Sequence, residues 1–490
     1  MPRSVSLLLI AAFALSVLVR LPQLGRPLSK NHEFCTALVL VVHSVWEEDG
    51  FLKHHGCPAV TYPNPGDRGV IGLHYDLTEQ DGIYYYVAHL PMAYWAPYAA
   101  FKVLGVTAAE VPLRIFNVLL HGLTALLFFG FLKRMLGDLP QHANIAAWAA
   151  AFYLLMPGPL WFHGNVYMSD MAVQLPWAWS LFTFARLGPA PRPLAVVHFP
   201  AGFRCACSYR WIGVFVVFTM LIVLVHRWRR TKDQRWLSLG IAQCVVAAIV
   251  VVVCLGLYAS RIGWSDLVAY LFHRYEERGV LPGEASATIL QGFWQLCLNL
   301  LRSWGTLVGL GIAAIVMNGQ RSWPAALDLL LLTLLPAVLH LLIFVRYGIH
   351  EFAVLKLGFL LCATVAIVLF REATWGRWSR LGAACALLLG MAWYTWVNRP
   401  GDGTATGEAY ATAQKRGLFI AAEAQPDEVI LLQGIQADPQ IQFYARRNMR
   451  TVADSAEAIR VLNELGARKG LLFRDIGGAL TADHLVPADR

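Results

Sequence analysis

Glu33 follows the first hydrophobic stretch, residues 5–19, and opens a long loop with the sequence Asn31-His32-Glu33-Phe34. A carboxylate held just outside a membrane is placed to take a proton from a hydroxyl, provided the two groups come within about 3 Å. Asp170, behind Ser169, offers a second acidic group for an acceptor or a metal ion. Arg210, Arg346, His350 and Lys356 offer positive charge. Arg matches phosphate oxygens in bidentate fashion, and such groups stabilise the charge that develops as a bond to phosphate breaks. His32, Tyr85 and His89 are polar or aromatic side chains suited to an acceptor or substrate. Each residue also has a structural alternative. Glu33 would be favourable in a first helical turn, Ser169-Asp170 could be an N-cap, and Arg346 and Lys356 could snorkel to headgroups.

The elements that hold these groups are membrane helices. The chain of 490 residues is 57% hydrophobic and 14% charged, and its mean hydropathy is +0.51. Soluble domains carry about 25% charged residues. Apolar runs of roughly 17–25 residues cross a bilayer, and the candidates here are 5–19, 112–132, 145–160, 170–186, 194–206, 211–225, 237–258, 289–317, 325–344, 352–370 and 381–397. The predicted fold is a polytopic α-helical membrane protein of about eleven transmembrane helices, with a long first extracytoplasmic loop over 23–111. The aromatic stretch 83–104 is expected to be a juxtamembrane helix lying at the interface. Met1-Pro2-Arg3 and the first stretch read as a retained signal anchor, because Arg20-Leu21-Pro22 offers no small-residue cleavage site.

Basic residues set the orientation, since short positive loops stay in the cytoplasm. Lys133-Arg134, Arg186 with Arg192, the run 227–235, Arg321 and the run 371–380 fall on one side if 194–206 crosses. The loop 30–81, with three basic and eight acidic residues, then lies outside, as does the C-terminus. Residues 399–490 hold 11 basic and 12 acidic side chains, so the net charge of +9 resides in the membrane part. That excess reflects topology and points away from nucleic acid.

A linker at 398–403 leads from the membrane domain, 1–397, to a small extracytoplasmic α/β domain, 398–490. Its expected elements are strands at 429–433 and 470–473 and helices at 439–445 and 456–465, and it reads as a structural or docking module. Of the cysteines, Cys205 and Cys207 are too closely spaced to favour a bridge, while Cys244, Cys254, Cys297, Cys362 and Cys385 fall inside predicted spans. His54, His55 and Cys57 with His74 and Asp76 could hold a divalent metal ion, although no ligand-spacing template fits.

The membrane part resembles the glycosyltransferase C superfamily, in the branch of protein O-mannosyltransferases and lipid A aminoarabinose transferases. The resemblance rests on Glu33 in the first loop, Phe101-Lys102-Val103-Leu104-Gly105 with Arg114 soon after, Met168-Ser169-Asp170-Met171, and Arg346-Tyr347-Gly348-Ile349-His350-Glu351-Phe352. It implies transfer of a sugar, usually with inversion, from a polyprenyl-phosphate donor to an extracytoplasmic glycan, lipid or protein acceptor at a cell (inner) membrane. It further implies Glu33 as general base, Asp170 as second acidic residue, and Arg346, His350, Lys356 and Arg210 as donor-phosphate contacts. The pattern departs from the family at His32, where an acidic residue is usual, and at Arg210, where Lys is usual. A transporter or lipid flippase and a non-catalytic assembly subunit are the alternatives. A transporter would be expected to carry inverted repeats and charge near the midplane.

Overall fold

The computed structural model describes residues 2–29, 32–70, 77–187, 206–279, 286–318, 326–370, 376–398 and 411–487. Among these, seven helices are long and apolar enough to cross a membrane: Arg3–Leu24, Glu110–Met135, Ile212–Thr231, Gln234–Ile262, Ile289–Val316, Glu351–Phe370 and Gly376–Val397. At about 1.5 Å per residue even the shortest reaches about 30 Å, the thickness of the hydrocarbon layer. Their outward faces stay apolar. Leu7, Ile10 and Leu18 on the first helix and Ile241, Val245, Ile249 and Val252 on the Gln234–Ile262 helix are all exposed, which is how a surface meets lipid.

Three further expected spans form broken helices, and proline accounts for the clearest case. The stretch 145–160 divides at Met156 into His142–Leu155 and Pro157–Asn165, bent by 58°. Met156 precedes a proline and takes an extended conformation because the proline ring disfavours the helical one. The stretch 170–186 divides at Val173 into Ser169–Ala172 and Gln174–Leu187, and 325–344 into Ala326–Thr333 and Leu335–Ile343, with Pro336 in the first turn of the latter. The expected span 194–206 lies almost wholly outside the described residues, as do Cys205, Asn31, His74 and Asp76.

The first loop departs from expectation in two ways. It contains a helix, Phe34–Val45, buried from Cys35 onward; a helix apolar all round belongs in a core. The stretch 83–104 is not one helix. Residues 78–80 (β1) and 83–85 (β2) pair as an antiparallel hairpin, and a helix begins only at Met92 and runs to Leu104. Asp81-Gly82 makes the turn with both residues at positive φ, 56° and 76°, the two-residue turn that Asp-Gly favours.

The C-terminal domain is an α/β sandwich around a four-stranded sheet. Strands Val429–Gln433 (β3), Met449–Val452 (β4), Gly470–Ile476 (β5) and Ala479–Leu485 (β6) are ordered β4-β3-β5-β6, with only the β5–β6 pair antiparallel. Alternation decides which helix each face receives. Ile430, Leu432, Leu471 and Phe473 meet Ile420 and Ile441 on one side, and Val429, Leu431 and Leu472 meet Val461 and Leu462 on the other. β4 and β6 were not foreseen, because both are sheet-edge strands with few large apolar residues.

This domain packs on the first loop. The Arg447 guanidinium pairs with Asp67 at 3.0 Å, the Asn448 amide donates to Asp67 Oδ1 at 2.6 Å, and Val70 of the loop enters the domain's own core. The seam is tight at Gly66, where any Cβ would collide with the Glu428 carbonyl. Gly66→Ala is therefore expected to destabilise the protein by about 1–3 kcal/mol, the usual range for overpacking. A thermal midpoint and a proteolysis time course would register the loosened seam, and an unchanged midpoint would contradict the tight packing.

Candidate active site

Two buried carboxylates organise the polar end of the bundle. Glu33 sits at the turn into the Phe34–Val45 helix and is fully buried. Its Oε2 accepts from Arg26 Nη1 at 2.6 Å, from the Ser29 amide at 2.7 Å and from Ser29 Oγ at 2.5 Å. Its Oε1 accepts from Arg114 Nη2 at 2.9 Å. Arg114 also caps the end of the first span, donating from Nη1 to the carbonyls of Gln23, Leu24 and Arg26 at 3.3, 2.8 and 2.5 Å. One arginine thus ties Glu33 to carbonyls that a helix end leaves without partners. Arg26 is steadied by Asn165 Oδ1 at 3.3 Å and by the Trp161 ring, 5.3 Å from its guanidinium carbon. Oε1 accepts one charged hydrogen bond while Oε2 accepts three donors. Each carboxylate oxygen offers about two acceptor sites, so the position still open on Glu33 is the second one on Oε1.

Asp170 opens the short Ser169–Ala172 helix and is 1% exposed. Its Oδ1 accepts from Lys356 Nζ at 2.8 Å, and its Oδ2 from Tyr347 Oη at 2.6 Å and from Arg210 Nη1, which also reaches Ser169 Oγ at 2.8 Å. Tyr347 lies beneath a group of cations. Arg210, Lys356 and Arg278 stand over its ring at 4.8, 4.5 and 5.3 Å. Burial pushes its phenol up to about 12, against the pull of Arg210 and Arg278. Tyr347 therefore stays protonated and donates to Asp170.

His32 and His350 pack together beside the Asp170 cluster. The His32 ring lies 6.3 Å from His350 and 5.4 Å from Phe352, and His350 stacks on Phe352 at 5.0 Å and 6°. His350 in turn meets Tyr347 at 5.2 Å. Burial, helped by Arg278, lowers His350 to about 3. It is accordingly a neutral ring near pH 7, and the positive charge around it is that of Arg278, Arg210 and Lys356. His32 holds φ at 59°, left-handed backbone that is uncommon outside glycine.

Beside the Asp170 cluster lies a cavity of about 290 Å³ lined by His89, Arg210, Arg274, Arg278 and Tyr347, with Leu271, Tyr275 and Phe344 as apolar wall. His89 is buried with Nε2 unpartnered, and burial together with Arg210, Arg278 and Arg274 lowers its pKa well below the ordinary value. A cavity lined by both guanidinium groups and hydrocarbon has the character of an amphiphilic anion site. Arg274 and Arg278 come from the Trp264–Arg278 helix, which lay between expected spans. Apolar residues at 264, 267, 268, 271, 272 and 275, with arginines four apart, were the available signal.

The structure thus joins Asp170, Arg210 and Lys356, and sets His89 and His350 at their margin. Glu33 forms a separate cluster with Arg26, Ser29 and Arg114, and His32 packs with His350 and Phe352. Arg346 sits in the 3-10 turn 345–349, where the neighbouring Tyr347 makes the contact to Asp170. Tyr85 belongs to the first-loop core, where its hydroxyl meets His54 Nδ1 at 3.1 Å and Arg261 Nε at 2.5 Å. His55 faces Ser260 at 2.9 Å. Among the described residues, no three His, Cys, Asp or Glu side chains gather as metal ligands.

The fold recurs in solved structures. ArnT from Cupriavidus metallidurans bound to undecaprenyl phosphate superposes with a TM-score of 0.60 at 14% identity, over 95% of this chain and 92% of that one. The chain has the glycosyltransferase C fold. The Archaeoglobus fulgidus oligosaccharyltransferase tethered to an acceptor peptide carrying the NVT sequon matches with a TM-score of 0.59 at 12% identity, over 96% of this chain and 69% of that one. The same oligosaccharyltransferase, AglB, in complex with an inhibitory peptide and a dolichol-phosphate, gives 0.56 at 12% identity over the same shares. No family model and no curated protein sequence matches the chain.

Proposed function

We propose that this protein is an integral membrane glycosyltransferase that moves a sugar from a polyprenyl-phosphate donor to a hydroxyl-bearing acceptor on the extracytoplasmic side of a cell (inner) membrane. The observation that carries this reading is the cavity lined by Arg210, Arg274 and Arg278 together with Leu271, Tyr275 and Phe344, beside the Asp170 cluster. A lipid phosphate needs both kinds of lining. The shared fold with ArnT bound to undecaprenyl phosphate and with AglB bound to a dolichol-phosphate supports it.

In this reading the acceptor hydroxyl attacks the anomeric carbon from the face opposite the phosphate. Its proton passes to Glu33 Oε1, and the electron pair of the broken carbon–oxygen bond goes to the phosphate oxygen. The donor carries one negative charge on its phosphodiester and leaves as a monoester able to carry two. Arg278 and Arg210 stabilise that added charge, and the arginines worked in a site from which water is largely excluded are most effective there. Asp170 holds Arg210, Lys356 and Tyr347 in register.

The test is a reconstituted assay with a labelled polyprenyl-phosphate sugar. The reading requires sugar transfer with release of one lipid phosphate per turnover; sugar flux across vesicles without a transfer product would favour a transporter instead. Arg278→Ala is expected to raise KM for the lipid donor about 10- to 100-fold, since a hydrogen bond to a charged group contributes about 1.5–3 kcal/mol. An unchanged KM would remove the cavity from donor binding.

A further inference from the structure

We propose that the C-terminal domain completes the Glu33 site, with Gln440 and Tyr444 as positioning residues for the Glu33 carboxylate. This rests on the reading of Glu33 given above. Both side chains belong to the Pro439–Ala445 helix, which packs against Phe34–Val45. The Gln440 side-chain amide donates to the Ser29 carbonyl at 2.9 Å, and both residues are buried. The Tyr444 hydroxyl accepts from the Leu28 amide at 2.9 Å and donates to Glu110 Oε1 at 2.6 Å. Leu28 and Ser29 are the two residues whose backbone these bonds fix, and Ser29 supplies two of the donors to Glu33 Oε2. Glu110 begins the helix that presents Arg114, one turn on, to Glu33 Oε1. Tyr444 therefore links the turn that holds one carboxylate oxygen to the helix that holds the other.

The domain docks through other contacts that do not touch this turn. Arg447 and Asn448 hold Asp67, Gln442 donates to the Val60 carbonyl at 2.9 Å, and Asn64 donates to the Arg446 carbonyl at 3.3 Å. Loss of one hydroxyl at position 444 leaves that seam in place. What it releases is the Leu28–Ser29 backbone, and a reacting group displaced by about 1 Å can lose 10²-fold in rate. The domain accordingly acts on the reaction as well as on stability.

The experiment measures kcat and the donor KM of the full-length protein carrying Tyr444→Phe, Gln440→Leu, Ser29→Ala and the pairwise combinations, with Asn64→Ala as a docking control. Tyr444→Phe and Gln440→Leu are each expected to lower kcat about 10- to 100-fold with donor KM unchanged, and Asn64→Ala to leave both at the wild-type value. If the two residues act through Ser29, their effects shrink in the Ser29→Ala background, because groups in one network are non-additive. Additive effects on kcat, or wild-type kcat in both single variants, would overturn the proposal. Should Tyr444→Phe fail to fold, Gln440→Leu with Ser29→Ala decides alone. Glu33→Gln run in parallel separates the two readings. Wild-type transfer there removes Glu33 as base, whereas loss there beside wild-type rates in Gln440→Leu and Tyr444→Phe removes only the role of the domain.

Discussion

Glu33→Gln is expected to lower transfer by about 10²- to 10⁴-fold, the contribution a positioned general base makes, and to lower stability as well. The stability effect follows from the surroundings. Arg26 and Arg114 both lie against this carboxylate, with side chains 7% and 1% exposed. Gln is nearly isosteric but neutral, and its amide nitrogen must face a guanidinium on one side or the Ser29 donors on the other. Removing one member of a buried ion pair costs about 3–5 kcal/mol because the other charge is left uncompensated. The two effects can be separated with Glu33→Asp, which keeps the charge while drawing the carboxylate back by one methylene. That variant is expected to fold like the wild type and to lose about 10²-fold in kcat from misplacement. Folded Glu33→Gln protein turning over at the wild-type rate would end the assignment of Glu33 as base.

His32 offered the sharpest question in the sequence, because the family resemblance implies an acidic residue at that position. The structure answers with groups that local reading could not reach. The partners of Glu33 are Ser29 and Arg26, four and seven residues before it, and Arg114, on another helix. His32 looks away from them, toward His350 and Phe352. Pairing of this kind depends on how the first span, the Glu110–Met135 helix and the first loop meet, and no periodicity within one segment encodes it.

Hydrophobic length, by contrast, was legible, since seven expected spans coincide with helices able to cross a bilayer. Where proline breaks a run, as at Met156-Pro157, the hydropathy alone reads as continuous. The hairpin at 78–85 was missed because the tyrosines after Ile83 drew attention from Asp81-Gly82, which carries the turn. The contact of Tyr347, next to Arg346 in the chain, was hidden for a different reason. Residues 345–349 form a 3-10 turn, so adjacent side chains diverge, and Tyr347 is the one directed at Asp170.

Asp170→Asn should cost as much stability as Glu33→Gln. Lys356 and Arg210 are 1% and 4% exposed and both bond to this carboxylate, which also receives the Tyr347 hydroxyl. Without its charge, two cations remain buried around one ring, and a loss of about 3–5 kcal/mol is expected for breaking such a pair. Transfer should fall with it, because Arg210 would no longer be held at the cavity wall. The double variant Asp170→Asn with Lys356→Met isolates the cause. Replacing both members of a buried ion pair by groups of similar volume is often neutral, so the thermal midpoint should recover most of its loss while transfer stays low. The comparison needs only melting curves of the purified protein and the lipid-donor assay. Equal midpoints for the single and double variants would mean that unpaired charge is not what destabilises the site. Recovery of transfer in the double variant would mean that Asp170 serves only to neutralise Lys356, and the arrangement of Arg210 at the cavity would then have to be fixed by Ser169 and Tyr347 alone.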